Sequence, residues 1–295
     1  MSTPNNQHAL TLMYDKYVRY LFIVSAALMA IIIFSIIFFV GKQGLLTFTQ
    51  VNPLEFFFGS KWDPMDNKFG AASFIIGSVA VTVVAICIGT PLGLAGAVFM
   101  AKIAPKWLRE IMRPATDLYV AIPSVVYGYV GLMVLVPFLR EFFNVTTGFG
   151  ILAASIILGI MILPTIISIC EDAIRSVPKS LEEASLALGA TRWQTLWNVV
   201  LPAALPGILT AIILAMARAI GETMAVQMLI GNTPLIPTSL FMPTSALTSN
   251  IVVEMGNTPF GSAWGNSLFL MALVLLLISL GMILLIRRIG ARRVA

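Results

Sequence analysis

An uncharged, almost wholly apolar run from Tyr20 to Val40, 21 residues long, constrains this chain more than any other feature of it. At about 1.5 Å of rise per residue, a helix of that length spans about 30 Å, the thickness of bilayer hydrocarbon. The run is too long for the apolar segment of a signal peptide, and no small-residue cleavage site follows it. It is therefore expected to persist as a first membrane span. Similar runs recur, and together they predict six spans at roughly 20–40, 71–101, 117–138, 150–170, 203–230 and 265–286. A mean hydropathy of +0.96 and only 11% charged residues agree with an all-α integral membrane protein.

Net charge is +5, but the basic residues do not lie along one soluble face as nucleic-acid binding would need; they gather beside the spans and report topology. With the N-terminus in the cytoplasm, thirteen fall inside: Lys16 and Arg19; Lys102, Lys106, Arg109 and Arg113; Arg175, Lys179 and Arg192; and Arg287, Arg288, Arg292 and Arg293. Four fall outside, Lys42, Lys61, Lys68 and Arg140. Both termini are expected in the cytoplasm. The chain then divides into a cytoplasmic tail at 1–19, a first span with an outside loop at 20–70, a core of five spans at 71–286 with a cytoplasmic loop at 171–202, and a basic tail at 287–295. His8 reads as a solvated tail residue. Phe56, Phe57, Phe58 and Trp62 in the first outside loop read as anchors at the membrane interface. Cys87 and Cys170 read as small buried apolar residues without a disulfide.

Gly77, Gly89, Gly93 and Gly96 in the second span would let backbones approach closely, and Gly89-Thr90-Pro91 predicts a tilt or kink there. The third span opens at Asp117 and contains AIPSVVYG at 121–128, where Pro123 removes a donor; such a break suits either a packing kink or the lining of a watery path. Pro164 suggests a kink in the fourth span. The stretch 231–264, rich in Pro, Ser and Thr, carries Glu254 as its only charge and predicts an outside loop, with a short helix around Ala246 to Met255 lying across the outer mouth.

Two stretches stand out against this apolar background. Glu182 to Pro202 predicts two short helices joined at Gly189, with Pro178 suited to the first turn, Glu182 and Glu183 opposing the positive end of the helix dipole, Thr191 and Gln194 in capping-box spacing, and Pro202 closing the second helix. Leu181, Ala184, Ser185 and Leu188 would share one face of the first helix, and Trp193, Leu196, Trp197 and Val200 one face of the second. In the fifth span, Arg218 and Glu222 sit four residues apart at membrane depth. There each charge costs about 2.5–3.5 kcal/mol on insertion scales, so neither should face lipid. They can partly neutralise each other as a structural ion pair, Arg218 can offer a forked donor to a passing oxyanion, or Glu222 can relay protons. Thr82, Thr90 and Ser124 are weaker candidates for lining a path.

The chain carries no G-x-x-x-x-G-K-[ST], so it cannot bind ATP in that manner. One histidine and two cysteines are too few for a metal cluster or a nucleophile with its base. Enzyme chemistry within this chain is not expected.

Glu183-Ala184-Ser185, three residues, Gly189, nine residues, then Val199-Val200-Leu201-Pro202 resembles the EAA loop of ABC-importer permeases, EAA-x3-G-x9-I-x-L-P, with Ser185 and Val199 as conservative departures. The resemblance implies a type I importer permease with cytoplasmic coupling helices that dock on an ATP-binding subunit, and it assigns that role to Glu182, Glu183, Ala184, Gly189, Leu201 and Pro202. AIPSVVYG at 121–128, ARAIGETMAV at 217–226 and the long first outside loop resemble the permeases of phosphate importers, in particular the PstC-type, from about residue 15 to the end. That family implies a bacterial inner-membrane complex with a PstA-type sister permease, a dimeric PstB-type ATPase that binds ATP and Mg, and a periplasmic or lipid-anchored phosphate-binding protein. It also implies no cofactor in this chain. Arg218, with Glu222 beside it, would then be the first anion contact. Other oxyanions, an ion-driven transporter or channel, and a signalling role are the competing readings.

Overall fold

In the computed structural model the backbone is described for residues 5–294 and side chains for residues 16–288 other than Asp117. Six helical stretches among these residues are long and apolar enough to cross a membrane: Lys16–Thr49, Ala72–Ile103, Ser124–Phe142, Ile151–Ser176, Arg192–Gly221 and Ala263–Arg288.

Helix α1 (Asn5–Leu45) is continuous, so the expected tail at 1–19 is not a separate element over its described part; the His8 side chain lies outside the described residues. A 3-10 turn at Leu46–Thr49 leads to α2 (Pro53–Phe58) and a hairpin of β1 (Trp62–Asp63) and β2 (Lys68–Phe69), paired antiparallel. Only part of the expected aromatic belt faces outward here. Phe57 and Phe58 do, but Phe56 and Trp62 are buried with Phe69, Phe74 and Leu247. Trp62 and Trp264 donate their indole N–H groups to the Glu254 carboxylate at 2.9 and 2.6 Å. Burial pushes this carboxyl above the usual glutamate value, against the indole donors, which favour its charged form.

Helix α3 (Ala72–Val98) runs on through Pro91 without a break and widens into a π turn at Phe99–Ile103. It packs most extensively against α7 (Ile151–Ser176), which runs through Pro164. The glycines on α3 permit this: a Cβ added to Gly93 would lie 2.6 Å from Ile166 Cγ2. Between α3 and α7, α4 (Lys106–Ala121) is an amphipathic helix of its own. The third span therefore begins at Ser124, not Asp117, because Ile122 and Pro123 are extended and Pro123 excludes a helical residue before it. The span consists of α5 (Ser124–Val130), a π turn at Gly131–Leu135, and α6 (Val136–Phe142).

After α7 come two short helices, α8 (Lys179–Ala187) and α9 (Arg192–Thr195). A π turn at Leu196–Val200 then joins α9 to α10 (Leu201–Gly221). Pro202 therefore opens α10 and does not close the preceding helix. It has no N–H for a helical bond, and the Leu201 N–H reaches back to Leu196 O across the widened turn, so the run stays helical. Beyond α10 lie α11 (Met224–Ile230), α12 (Leu247–Met255), which matches the helix expected there, and α13 (Ala263–Val294). The main core is α3, α7 and α10; α13 packs on α10 and α1 lies outside it on α13. Cys170 is buried and Cys87, contrary to expectation, is exposed.

Candidate transport path and coupling hairpin

The α8–α9 hairpin is shaped almost entirely from within. Pro178 caps α8 in extended conformation. At the other end Ala190 N–H bonds to Ser185 O and Gly189 N–H to Leu186 O, the paired bonds of a Schellman stop, with Gly189 at φ +83 where a Cβ would be strained. Thr191 Oγ1 then accepts from Gln194 N–H at 3.2 Å and Gln194 Oε1 from Thr191 N–H at 2.9 Å, so the expected capping box is present. The Ser185 and Thr195 hydroxyls meet at 2.9 Å and tie the two helices together. Glu182 forms an ion pair with Lys102 at the end of the second span.

The hairpin leaves much apolar surface uncovered. Leu188 is 90% exposed, Trp193 62% and Trp197 52%, and the two indoles stack edge to face at 5.7 Å. Leu196 and Val200, expected on the same face as these tryptophans, turn into the core instead. Glu183, Ala184 and Pro202 are exposed, and Leu201 is buried. Beside the hairpin, Lys102, Glu182, Arg192 and Trp193 border a cleft of about 650 Å³. Burying one leucine contributes about 1.5–3 kcal/mol, so this face is suited to a partner.

The fifth span is where the expected geometry fails. Helix α10 ends at Gly221, Glu222 is extended with ψ 127, and α11 starts only at Met224. The helical i,i+4 relation between Arg218 and Glu222 is therefore lost, and among the described residues no salt bridge joins them. The Glu222 carboxylate instead accepts from Thr223 N–H at 3.2 Å, and its carbonyl accepts from the Thr248 hydroxyl of α12 at 3.3 Å. Arg218 lies half-buried in the last turn of α10, where the partial negative charge of the helix end favours a cation. On α5, the Tyr127 hydroxyl donates to Tyr119 O at 2.7 Å, bridging the break at Pro123. The Arg218 guanidinium, at a helix end and in no salt bridge among the described residues, can donate a forked pair of hydrogen bonds to an oxyanion.

The other candidates do not gather around it. Thr82 is buried in α3 and its hydroxyl donates to Ser78 O at 2.8 Å; the buried Thr90 hydroxyl has no hydrogen-bond partner among the described residues; Ser124 is half-buried at the start of α5. No hydrogen bond among the described residues joins these three to Arg218 or Glu222. Gln227, whose polarity near Arg218 and Glu222 was legible in the sequence, has its Oε1 buried on α11 without a hydrogen-bond partner among the described residues. One feature escaped the sequence reading. Glu171, near the end of α7, is 2% exposed with Arg175 Nη2 at 2.5 Å and Arg113 Nη2 at 3.5 Å. The spacing of Glu171 and Arg175 was readable as an i,i+4 pair, but nothing local announced Arg113.

Several known proteins resemble this chain. A probable ABC transporter permease protein, YqgH of Bacillus subtilis (strain 168), is 50% identical over 263 residues, covering 88% of this chain and 85% of the relative. A phosphate transport system permease protein, PstC of Mesorhizobium japonicum, is 35% identical over 256 residues, covering 80% and 77%. The crystal structure of a bacterial ABC transporter involved in alginate import superposes with a TM-score of 0.62 at 15% identity, over 95% of this chain and 99% of that one, which shows the type I importer permease fold. Residues 89–294 match the family described as the binding-protein-dependent transport system inner membrane component. The chain, with six spans, an exposed helical hairpin and more than two thirds of its length within that match, belongs to this family, the permease subunits of ABC importers.

Proposed function

We propose that this chain is one of the two permease subunits of an ATP-driven phosphate importer. The observation that carries the reading is Arg218, a guanidinium at the end of α10 that forms no salt bridge among the described residues, beside the break in the fifth span at Glu222 and Thr223. An arginine so placed at membrane depth suits an anion with oxygens in forked geometry. The relatives named for phosphate transport support phosphate over other oxyanions. Arg218 binds the anion, and Glu222 repels it back toward Arg218 or shifts aside as it passes.

The hairpin faces the cytoplasm in this reading, with both termini on the same side, as the excess of Lys and Arg near that end requires. Its apolar face, Leu188, Trp193 and Trp197, seats in a groove of a PstB-type ATPase that carries ATP and Mg; this chain carries neither. Glu182, Glu183, Ala184 and Gly189 set the geometry of that seat, and Leu201 and Pro202 join it to α10. A PstA-type sister permease completes the path and a phosphate-binding protein delivers the substrate from outside.

The test is uptake by vesicles containing this chain with its sister permease, ATPase and binding protein. Phosphate accumulation that requires ATP and survives collapse of the proton gradient is the expected result. Sulfate or molybdate uptake without phosphate uptake overturns the substrate, and uptake that persists without the ATPase overturns the mechanism.

A further inference from the structure

We infer that Glu171 is a positioning residue that fastens α4 to α7, so that displacement of the hairpin is carried to the broken third span. This rests on the coupling role proposed above for the hairpin. Only Val177 and Pro178 separate α7 from α8, and Val177 is buried, so the end of α7 moves with the hairpin. Glu171 sits within that end, buried to 2% exposure.

A buried carboxylate is costly unless paired, and both of its partners are arginines: Arg175 on its own helix and Arg113 from α4. Arg113 Nη2 also reaches Asp172 Oδ1 at 3.1 Å, but Asp172 is exposed, and an exposed pair contributes only about 0–1 kcal/mol. Glu171 is thus the buried one of the two α7 anions that draw the half-exposed Arg113 onto α7. Helix α4 has little else to hold it. None of its described side chains is fully buried, and Trp107, Ile111 and Leu118 are exposed. Its first turns are tied to the end of the second span by Arg109, which donates to Met100 O and Ala104 O.

The character of the contact suits a joint. Both guanidinium groups approach the same oxygen, Glu171 Oε1, and neither makes an aligned hydrogen bond to it. Attraction without direction tolerates a change of angle that would break an aligned hydrogen bond. Beyond the joint, α4 passes through Ile122 and Pro123 to α5, and the Tyr127–Tyr119 bond makes the start of α5 follow the end of α4. The contacts therefore run from the hairpin, through the end of α7 and α4, to the start of α5 in the broken third span.

The experiment uses the complete importer in proteoliposomes, with phosphate uptake and ATP hydrolysis measured in the same vesicles. Glu171→Gln is expected to lower phosphate moved per ATP hydrolysed by about tenfold while changing hydrolysis by less than about twofold, since a partner lost from a buried ion pair loosens the joint. Glu171→Asp, which keeps the charge, restores most of the ratio, and Arg113→Gln added to Glu171→Gln costs little more, because the two share one contact and the Arg113–Asp172 pair that remains is exposed. A second arm needs no substrate. Cysteines replacing Thr116 and Ser168, which line one pocket of about 150 Å³ with Arg113 and Glu171, report the α4–α7 contact by crosslinking in a background with Cys87→Ala and Cys170→Ala. The yield is expected to be equal with and without Mg-ATP, and to fall when Glu171→Gln is added.

Uptake and hydrolysis falling together, or a crosslink yield indifferent to Glu171→Gln, overturns the joint. A wild-type complex that hydrolyses ATP but imports no phosphate overturns the substrate reading alone, and the crosslinks still decide the role of Glu171.

Discussion

In the α8–α9 hairpin, the contacts that set the shape come from within ten residues: Ala190 with Ser185, Gly189 with Leu186, Thr191 with Gln194, and Ser185 with Thr195. At the end of α10 the shape depends on elements far away in sequence. Thr248 on α12 holds the Glu222 carbonyl. The difference has a mechanical meaning. A hairpin stabilised by its own bonds keeps its form while it is pushed as a unit. A break held by neighbouring helices changes when those helices move, which is what a path with two access states requires.

That contrast can be tested at three sites. The largest effect is expected at Arg218, where the side chain would meet the substrate and has no local substitute. Arg218→Ala should lower phosphate uptake by about ten- to hundredfold, as the loss of a charge-assisted contact of about 1.5–3 kcal/mol implies, while ATP hydrolysis and complex assembly persist. Unchanged uptake in the assembled complex would remove Arg218 from the path.

A smaller loss is expected at Gly189. Its φ of +83 costs a residue bearing a Cβ about 1–2 kcal/mol, and a Cβ there would meet no other atom within 4 Å, so the whole effect of Gly189→Ala should be on hairpin shape. Uptake and substrate-stimulated hydrolysis should both weaken by about five- to tenfold while the thermal unfolding of the spans is unmoved. A lowered midpoint for the spans would show that the hairpin is not mechanically independent of them.

Thr191→Ala should have the smallest effect. It removes half of the capping box, about 1 kcal/mol, and should loosen only α9, seen as faster amide exchange at Gln194 and a modest loss of ATPase affinity. Exchange spreading into α10 would mean that the π turn at Leu196–Val200 transmits the change, and the line between the two regions would need to be redrawn.

The hairpin was also the more legible of the two in sequence. Gly189, Thr191 and Gln194 act on their own backbone neighbours, so the residue types carried the geometry. Pro202 misled because the rule that proline ends a helix is local. A π turn passed the Leu201 donor to Leu196 O and kept the run helical, as suits apolar surroundings without water to satisfy a freed carbonyl. Phe56 and Trp62 misled in another way. Their composition matched an interfacial belt, yet Phe74, Phe69 and Glu254 offered them a protein interior, and nothing near residue 60 in sequence could reveal Glu254.

By itself the sequence determined the number of spans, the form of the hairpin and the short helix α12, because hydrocarbon thickness, capping and glycine conformation are all set by residues close together in the chain. The tertiary structure decided where the fifth span breaks, that Arg218 and Glu222 part, that α4 is a separate helix, and that Glu171 meets Arg113. Each of these depends on a partner brought from another element. A local pattern can say that a charge in the membrane needs a neighbour, but only packing chooses which one it gets.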